Sequence, residues 1–287
     1  MAMPIVSPQK PKVTLTGVQS TLLITLYARH LDSLSAHPIL NDPHATAVVN
    51  NISHDFSKIG VASGAIYTVG VRGHHLDNWV RSFLAKHPVA TVVHLGCGLD
   101  TRAHRLDWSP SVRWIDVDLP DVVDLRTQVV PDIQGRDYTL LAGSATDEPF
   151  IAGLPNDRPT IVVMEGLTSY LDPVLGEKMV VALCTRFGEK GGEIVTDASS
   201  WLTKKVQKVF SLMWKTDEEG VQWVRWGIGP RGLEGLYDRL RAVEVVPFVS
   251  ADTEARRRLG VVLRGFFWLL GLFRVTRETF VLCRYEF

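Results

Sequence analysis

Cysteine is scarce: Cys97, Cys184 and Cys283 are the only three in 287 residues, odd in number and widely spaced. That argues against a disulfide framework and for a reducing, cytoplasmic setting. An excess of either charge is also missing, with Lys+Arg at 31, Asp+Glu at 31 and an isoelectric point of about 7.1. A dedicated nucleic-acid binder needs a strongly basic face to displace counterions from phosphate, and no such footprint is evident. Residues 1–12 carry three prolines and no apolar core followed by a small-residue cleavage site, so no secretory leader is visible. Long hydrophobic runs are lacking too. The most membrane-like stretch, 259–275, is interrupted by Arg264 and Arg274 with nine uncharged residues between them, whereas a span needs about 20. Two readings of it stay open: a helix packing Phe266, Phe267, Leu270 and Phe273 on the core or a partner subunit of a homodimer, or a surface helix on lipid with Arg256, Arg257, Arg258 and Arg264 near headgroups. No metal site is expected, because His30, His37 and His44 recur every seven residues but are separated by Pro38 and Pro43. Neither a Gly-x-Ser-x-Gly elbow nor a phosphate-binding Gly-Lys-Ser/Thr loop is present.

What is there is apolar residues in quantity, 46% of the chain, enough for a sizeable core without metal or disulfide staples. Residues 1–14 read as a disordered start. Residues 15–89 read as a helical cap of the same domain: 18–34 is a continuous helix pattern that Pro38 and Pro43 break, and 76–85 is a second amphipathic helix. From residue 90 the texture changes to short apolar runs at 91–95, 112–117, 139–141, 160–164, 193–196, 243–249 and 279–285. Seven such runs separated by helix-length segments predict an α/β core over 90–287, a mostly parallel sheet with helices on both faces. The segment 199–241 before the sixth run holds four of the eight tryptophans, Trp201, Trp214, Trp223 and Trp226. It is either a substrate-side insertion or a second small core.

The run at 91–95 leads into Gly96-Cys97-Gly98-Leu99-Asp100-Thr101-Arg102. Glycines there let backbone approach a ligand closely, since any Cβ would collide with it. Alone this is a weak signal, equally a tight strand-to-helix turn. The next run ends on Asp118, twenty positions after Gly98, where a carboxylate at a strand tip accepts both ribose hydroxyls of an adenosine. Two cofactors remain. A nicotinamide dinucleotide wants a third small residue where Thr101 stands, and the preceding Asp100 would repel a pyrophosphate, so the spacing tilts toward S-adenosylmethionine.

Five stretches carry a resemblance over most of the chain: Thr21-Leu-Leu-Ile-Thr-Leu-Tyr-Ala-Arg29, Val71-Arg-Gly-His-His-Leu-Asp77, the glycine turn, Trp114-Ile-Asp-Val-Asp-Leu-Pro120 and Val163-Met-Glu-Gly-Leu-Thr-Ser-Tyr-Leu171. In order, they resemble the leucine carboxyl methyltransferase family, in its branch of polyketide and other small-molecule O-methyltransferases of tetracenomycin type. The resemblance implies a class I S-adenosylmethionine-dependent methyltransferase fold, Rossmann-like, with an insertion before strand six. It further implies that Arg72 pairs with the cofactor carboxylate, Gly96 meets its backbone with Gly98 in the same turn, Asp118 holds the ribose, and Glu165 faces the methionine ammonium or lines the site. Arg29 matches a second cation near the carboxylate, or is a helix-surface arginine. Where the family has Asp-Leu after strand three this chain has Ser144-Ala145 followed by Thr146-Asp147; Ser144 and Ala145 are placed at the adenine end, and either adenine recognition is weaker there or Asp147 substitutes.

Methyl transfer from a sulfonium is an in-line displacement, so alignment and exclusion of water are the main tasks. A carboxylate acceptor, with pKa about 4, is already ionised, whereas a phenol, at about 10, gains from a base. Candidates for that base are His74, His75 and Tyr170, with Tyr67 more remote, and His74-His75 equally read as a surface pair. The expected activity is O-methylation of a carboxylate or phenolic hydroxyl of a small, polyketide-like molecule, with S-adenosylhomocysteine as product. The rivals are methylation of a protein C-terminal carboxylate, a cofactor-binding protein that has lost methyl transfer for a cyclase or regulatory role, and a nicotinamide oxidoreductase.

Overall fold

The apolar runs are strands of one sheet. In a computed structural model describing residues 10, 11, 13, 21–61, 63–200, 202, 203, 214, 215, 224–248, 251, 261–272, 277 and 279–287, they are β1 (Thr91–Leu95), β2 (Arg113–Asp118), β3 (Asp137–Ala142), β4 (Thr160–Met164), β5 (Gly192–Ser199), β6 (Arg241–Pro247) and β7 (Phe280–Glu286). Their order across the sheet is β3-β2-β1-β4-β5-β7-β6. The first five run parallel, and β7 lies antiparallel between β5 and β6. The sixth strand starts two residues earlier than expected, at Arg241, because an irregularity at Ala242/Glu244 breaks its alternation.

Nine helices are described: α1 (Thr21–Ser33), α2 (Pro43–Asn51), α3 (Ser63–Lys86), α4 (Arg102–Arg105), α5 (Pro120–Val129), α6 (Glu148–Gly153), α7 (Pro173–Phe187), α8 (Pro230–Glu234) and α9 (Val261–Leu272). Pro43 opens α2 rather than merely ending a helix, because Asp42 caps the backbone N–H groups of His44 and Ala45 and a proline at the first position lacks only an N–H the helix leaves unused. Asp172 and Pro173 start α7 the same way. The second cap helix is much longer than the expected 76–85. Gly70 and Gly73 dilute its apolar pattern, and their missing side chains make room for Ile39 and Leu40, which a Cβ would approach to 3.2 and 3.1 Å.

Both sheet faces are covered, as the unbroken burial of β1 and β4 requires. Val93, Leu95, Ile115, Val117, Val162 and Met164 face α7 through Met179, Val180 and Leu183. Their alternates Val92, Trp114, Ile161, Val163 and Val195 face α3 through Leu76, Trp79, Val80 and Phe83. A third cluster joins Leu23 and Leu26 of α1 and Val48 of α2 to Leu99 and to Leu125 and Val129 of α5, placing α1 and α2 beside the glycine turn. Outside the sheet, Gly60–Val61 pairs antiparallel with Trp214–Lys215. No described helix is long and apolar enough to cross a membrane. The three cysteines are free and buried.

Candidate cofactor site

Strand order reverses between β1 and β4, and the crevice at the carboxyl ends of such a pair is where doubly wound sheets bind ligands. Gly96 and Gly98 sit there with φ of 65° and 50°, a left-handed backbone that glycine adopts without a Cβ penalty. A Cβ on Gly96 would stand 3.1 Å from the Leu167 side chain. Gly98 is gripped on both sides. Its N–H donates to Asp118 Oδ2 at 2.6 Å, and its carbonyl accepts from Arg126 Nη1 at 2.9 Å. Arg126 also donates to the Asp100 carbonyl at 2.7 Å and to Asp116 Oδ2 at 2.6 Å. The other Asp118 oxygen accepts the Leu119 N–H at 2.8 Å. Burial pushes the Asp118 carboxyl up, against the pull of those two N–H groups.

Period-two alternation carries the α3-facing side of the sheet from Val92, Trp114, Val163 and Val195 to His94, Asp116, Glu165 and Asp197, all buried. These polar residues meet arginines from the cap and from α4. Glu165 Oε1 accepts from Arg29 Nη2 at 2.9 Å and Arg72 Nε at 3.1 Å, while Oε2 accepts from Arg102 Nη2. Burial opposes its charge, but Arg29, Arg102 and Arg72 outweigh that and hold its carboxyl well below the usual range. Arg72 Nη1 also lies 3.5 Å from Asp197 Oδ2, whose partner oxygen accepts the Gly166 N–H at 2.6 Å. Arg102 and Arg105 share Asp77, each through Nε at 2.7 Å. Burial opposes ionisation of Asp116 as well; Arg126, His94 and Trp114 overcome it and bring the carboxyl to about 2.

The model of the leucine carboxyl methyltransferase family matches residues 22–180. The chain is 38% identical over 274 residues to the tetracenomycin polyketide synthesis O-methyltransferase TcmP of Streptomyces glaucescens, covering 93% of this chain and 98% of that one. The chain belongs to the leucine carboxyl methyltransferase family. A second family relative in sequence, the S-adenosyl-L-methionine-dependent methyltransferase dpfgK of Gibberella zeae, is 38% identical over 278 residues, 91% of this chain and 90% of that one. The crystal structure of an S-adenosylmethionine-dependent methyltransferase from Anabaena variabilis superposes with a TM-score of 0.52 at 10% identity over 97% of both chains. The fold is thus the class I methyltransferase fold.

In this family member, Arg29, Arg72, Gly96, Gly98, Asp118 and Glu165 come together at the carboxyl ends of β1, β2 and β4. Arg29 is not a surface arginine: it is 5% exposed, bonded to Glu165 and Asp100. Its buried Nε has no hydrogen-bond partner. Ser144 and Ala145 follow β3, one strand from Asp118, whose carbonyl accepts the Gly143 N–H at 2.9 Å. Ser144 Oγ lies 3.0 Å from Thr146 Oγ1, and Asp147 is exposed ahead of α6. Tyr170 ends a short turn, Thr168–Tyr170, beside Arg72, and its hydroxyl bonds Thr21. Burial and Asp197 push its phenol up, against Thr21 and Arg72. His74 and His75 point elsewhere: Nε2 of His75 bonds the Ala251 carbonyl at 2.7 Å, and Nε2 of His74 meets Asn78 at 3.0 Å. Tyr67 is core, edge-on to Phe248.

The structure corrects the charge argument against a pyrophosphate. Asp100 faces inward, bonded to Arg29 at 3.1 Å and to Arg105, with Arg102 at 3.4 Å. Three guanidiniums, shared with Glu165 and Asp77, flank it, so it is not the bare charge beside the turn that the sequence suggested. Sequence reasoning also missed Asp77, Arg102, Arg105, Asp116, Arg126 and Asp197. A signal existed for two of them, since Asp116 and Asp197 interrupt the buried runs of β2 and β5. Burial pushes the thiol of Cys97, between the glycines, up, against the pull of Arg126. Among the described residues no group of three or more metal-ligating side chains converges.

Proposed function

We propose that this chain transfers the methyl group of S-adenosylmethionine to an oxygen of a small, polyketide-like acceptor, releasing S-adenosylhomocysteine. The observation that carries the reading is Asp118 at the tip of β2, tied to the N–H of Gly98 beside the left-handed Gly96. The residues present fit the cofactor: two glycines leave a surface without Cβ atoms, and a buried arginine nitrogen lacks a partner. When bound, S-adenosylmethionine supplies a methyl group made electrophilic by its sulfonium.

Asp118 would accept the ribose hydroxyls, and Arg72 and Arg29 would meet the cofactor carboxylate with planar, charged donors. Glu165 anchors both arginines and, through a remaining lone pair, would be the carboxylate nearest the cofactor ammonium. Ser144 and Ala145 flank the adenine end. Tyr170, a phenol kept protonated, donates a hydrogen bond and takes no proton. We place residues 15–89 as a cap on the 90–287 core, with 199–241 on the acceptor side, in a cytoplasmic protein. The backbone N–H of Arg225 donates to the Ser169 carbonyl at 2.7 Å, which supports placing the insertion's end against the Tyr170 turn.

A carboxylate suits this site better than a phenol. His75 is engaged by Ala251, His74 by Asn78, and Tyr170 has its proton held on, so the candidate bases are spent. An acceptor already ionised at pH 7 needs none. Calorimetry with S-adenosylmethionine, S-adenosylhomocysteine and NAD tests the cofactor: the first two bind, NAD does not, and Asp118→Ala abolishes binding. Failure of the first two to bind overturns the reading. A panel of aromatic acids and phenols tests the acceptor, and turnover of phenols alone would reverse that choice.

A further inference from the structure

The described side chains of helix α9 are not among the site residues named above. Val261, Trp268, Leu269 and Leu272 are 81, 64, 51 and 52% exposed, and Arg264 is exposed beside them. Positions 261, 265, 268 and 272 recur at helical spacing and share one stripe. At Gly265 a Cβ would meet nothing within 4 Å. Leu269 borders the stripe on one side and Arg264 on the other. A water-facing stripe is ordinarily the polar one; here it is apolar with an indole at its centre. Charge around it is mainly positive: from Asp252 to Glu278 the sequence has six arginines and no lysine against Asp252, Glu254 and Glu278, whereas the whole chain has 31 charges of each sign.

We propose that α9 is a membrane-surface helix that docks this protein on an anionic bilayer, its apolar stripe at the acyl boundary and the arginines among phosphate headgroups. Twelve residues reach about 18 Å at the α-helical rise, short of a hydrocarbon core of about 30 Å, so the helix lies on the bilayer. Trp268 suits the interface, where an indole's apolar body and N–H are both satisfied. A second copy of the chain fits this face worse, because a two-fold contact would set each arginine-rich segment against its own copy. The proposal is independent of methyl transfer.

Flotation of the full chain with phosphatidylcholine vesicles, with and without phosphatidylglycerol, tests it. Expected is binding at least about tenfold tighter to the anionic vesicles, weakening as salt rises. Trp268→Gln with Leu272→Gln should weaken it by at least about tenfold, and Arg264→Gln should reduce the preference for phosphatidylglycerol. Calorimetry with S-adenosylmethionine, unchanged in these variants, shows that they are folded. No binding, or equal binding to both vesicle types, overturns the proposal. So does a dimer on size exclusion that the double variant converts to monomer, which assigns the face to a second copy.

Discussion

One sheet face is built from two materials. Its amino-terminal half, Val92, Trp114, Val163 and Val195 against α3, is dry and apolar; its carboxyl-terminal half, His94, Asp116, Glu165 and Asp197, is equally buried and ionic. Buried ion pairs hold a fold no better than well-packed apolar residues of the same volume, since desolvation consumes their attraction. On the proposed function, the ionic half is kept for the ligand rather than for stability. Glu165→Gln separates the two halves most sharply. It leaves Arg29, Arg72 and Arg102 around a neutral amide, at an expected cost of roughly 3–5 kcal/mol in urea unfolding, together with a loss of cofactor affinity in calorimetry.

Arg126→Met comes next. It frees the carbonyls of Gly98 and Asp100 and strands the buried Asp116 carboxylate. The expected cost is about 3 kcal/mol of stability, with cofactor dissociation constants raised on the order of tenfold as the glycine turn loosens. Val163→Ala, in the apolar half two residues before Glu165, should cost about 2 kcal/mol by leaving a cavity. Cofactor affinity should stay within about twofold there. A large affinity change in Val163→Ala would erase the distinction between the halves.

The apolar half was legible in the sequence and the ionic half only in outline. Unbroken runs such as 91–95 and 160–164 declare strands buried on both faces, and their spacing declares a parallel sheet. Placing β7 between β5 and β6 depends on pairings such as Thr196 with Cys283, which no local pattern announces. Asp118 was readable because a glycine turn and a strand tip lie a fixed distance apart. Asp77 was not, since its partners Arg102 and Arg105 are 25 and 28 positions away and meet it only once α3 packs over β1. Asp100 misled for the same reason: a charge read in isolation differs from one enclosed by three arginines. Adjacency misled at His74-His75: His74, two positions from Arg72, lies on the far side of the helix and meets Asn78, and His75, though three positions on, is engaged by the Ala251 carbonyl.

Acid distinguishes the two kinds of carboxylate within the site, with the smallest effect of the set. Asp100, Asp116 and Glu165 have their carboxyls lowered in the folded chain, so they contribute stability above the ordinary value near 4, lost as pH falls toward their folded values. Asp118 is raised, so its proton returns first, while those ion pairs are still intact. If Asp118 holds the ribose as proposed, its ionised carboxylate is the stronger acceptor, so cofactor affinity should fall on acidification by at most about tenfold per pH unit below the Asp118 pKa. Near-ultraviolet circular dichroism should show unfolding only at lower pH. Asp197, also raised by burial, titrates in the same direction beside Arg72. Asp197→Asn should leave the binding midpoint in place if Asp118 sets it; a shifted midpoint would transfer the pH dependence from the ribose to the carboxylate end of the cofactor. Coincident loss of binding and fold would show instead that the ionic half titrates as one body.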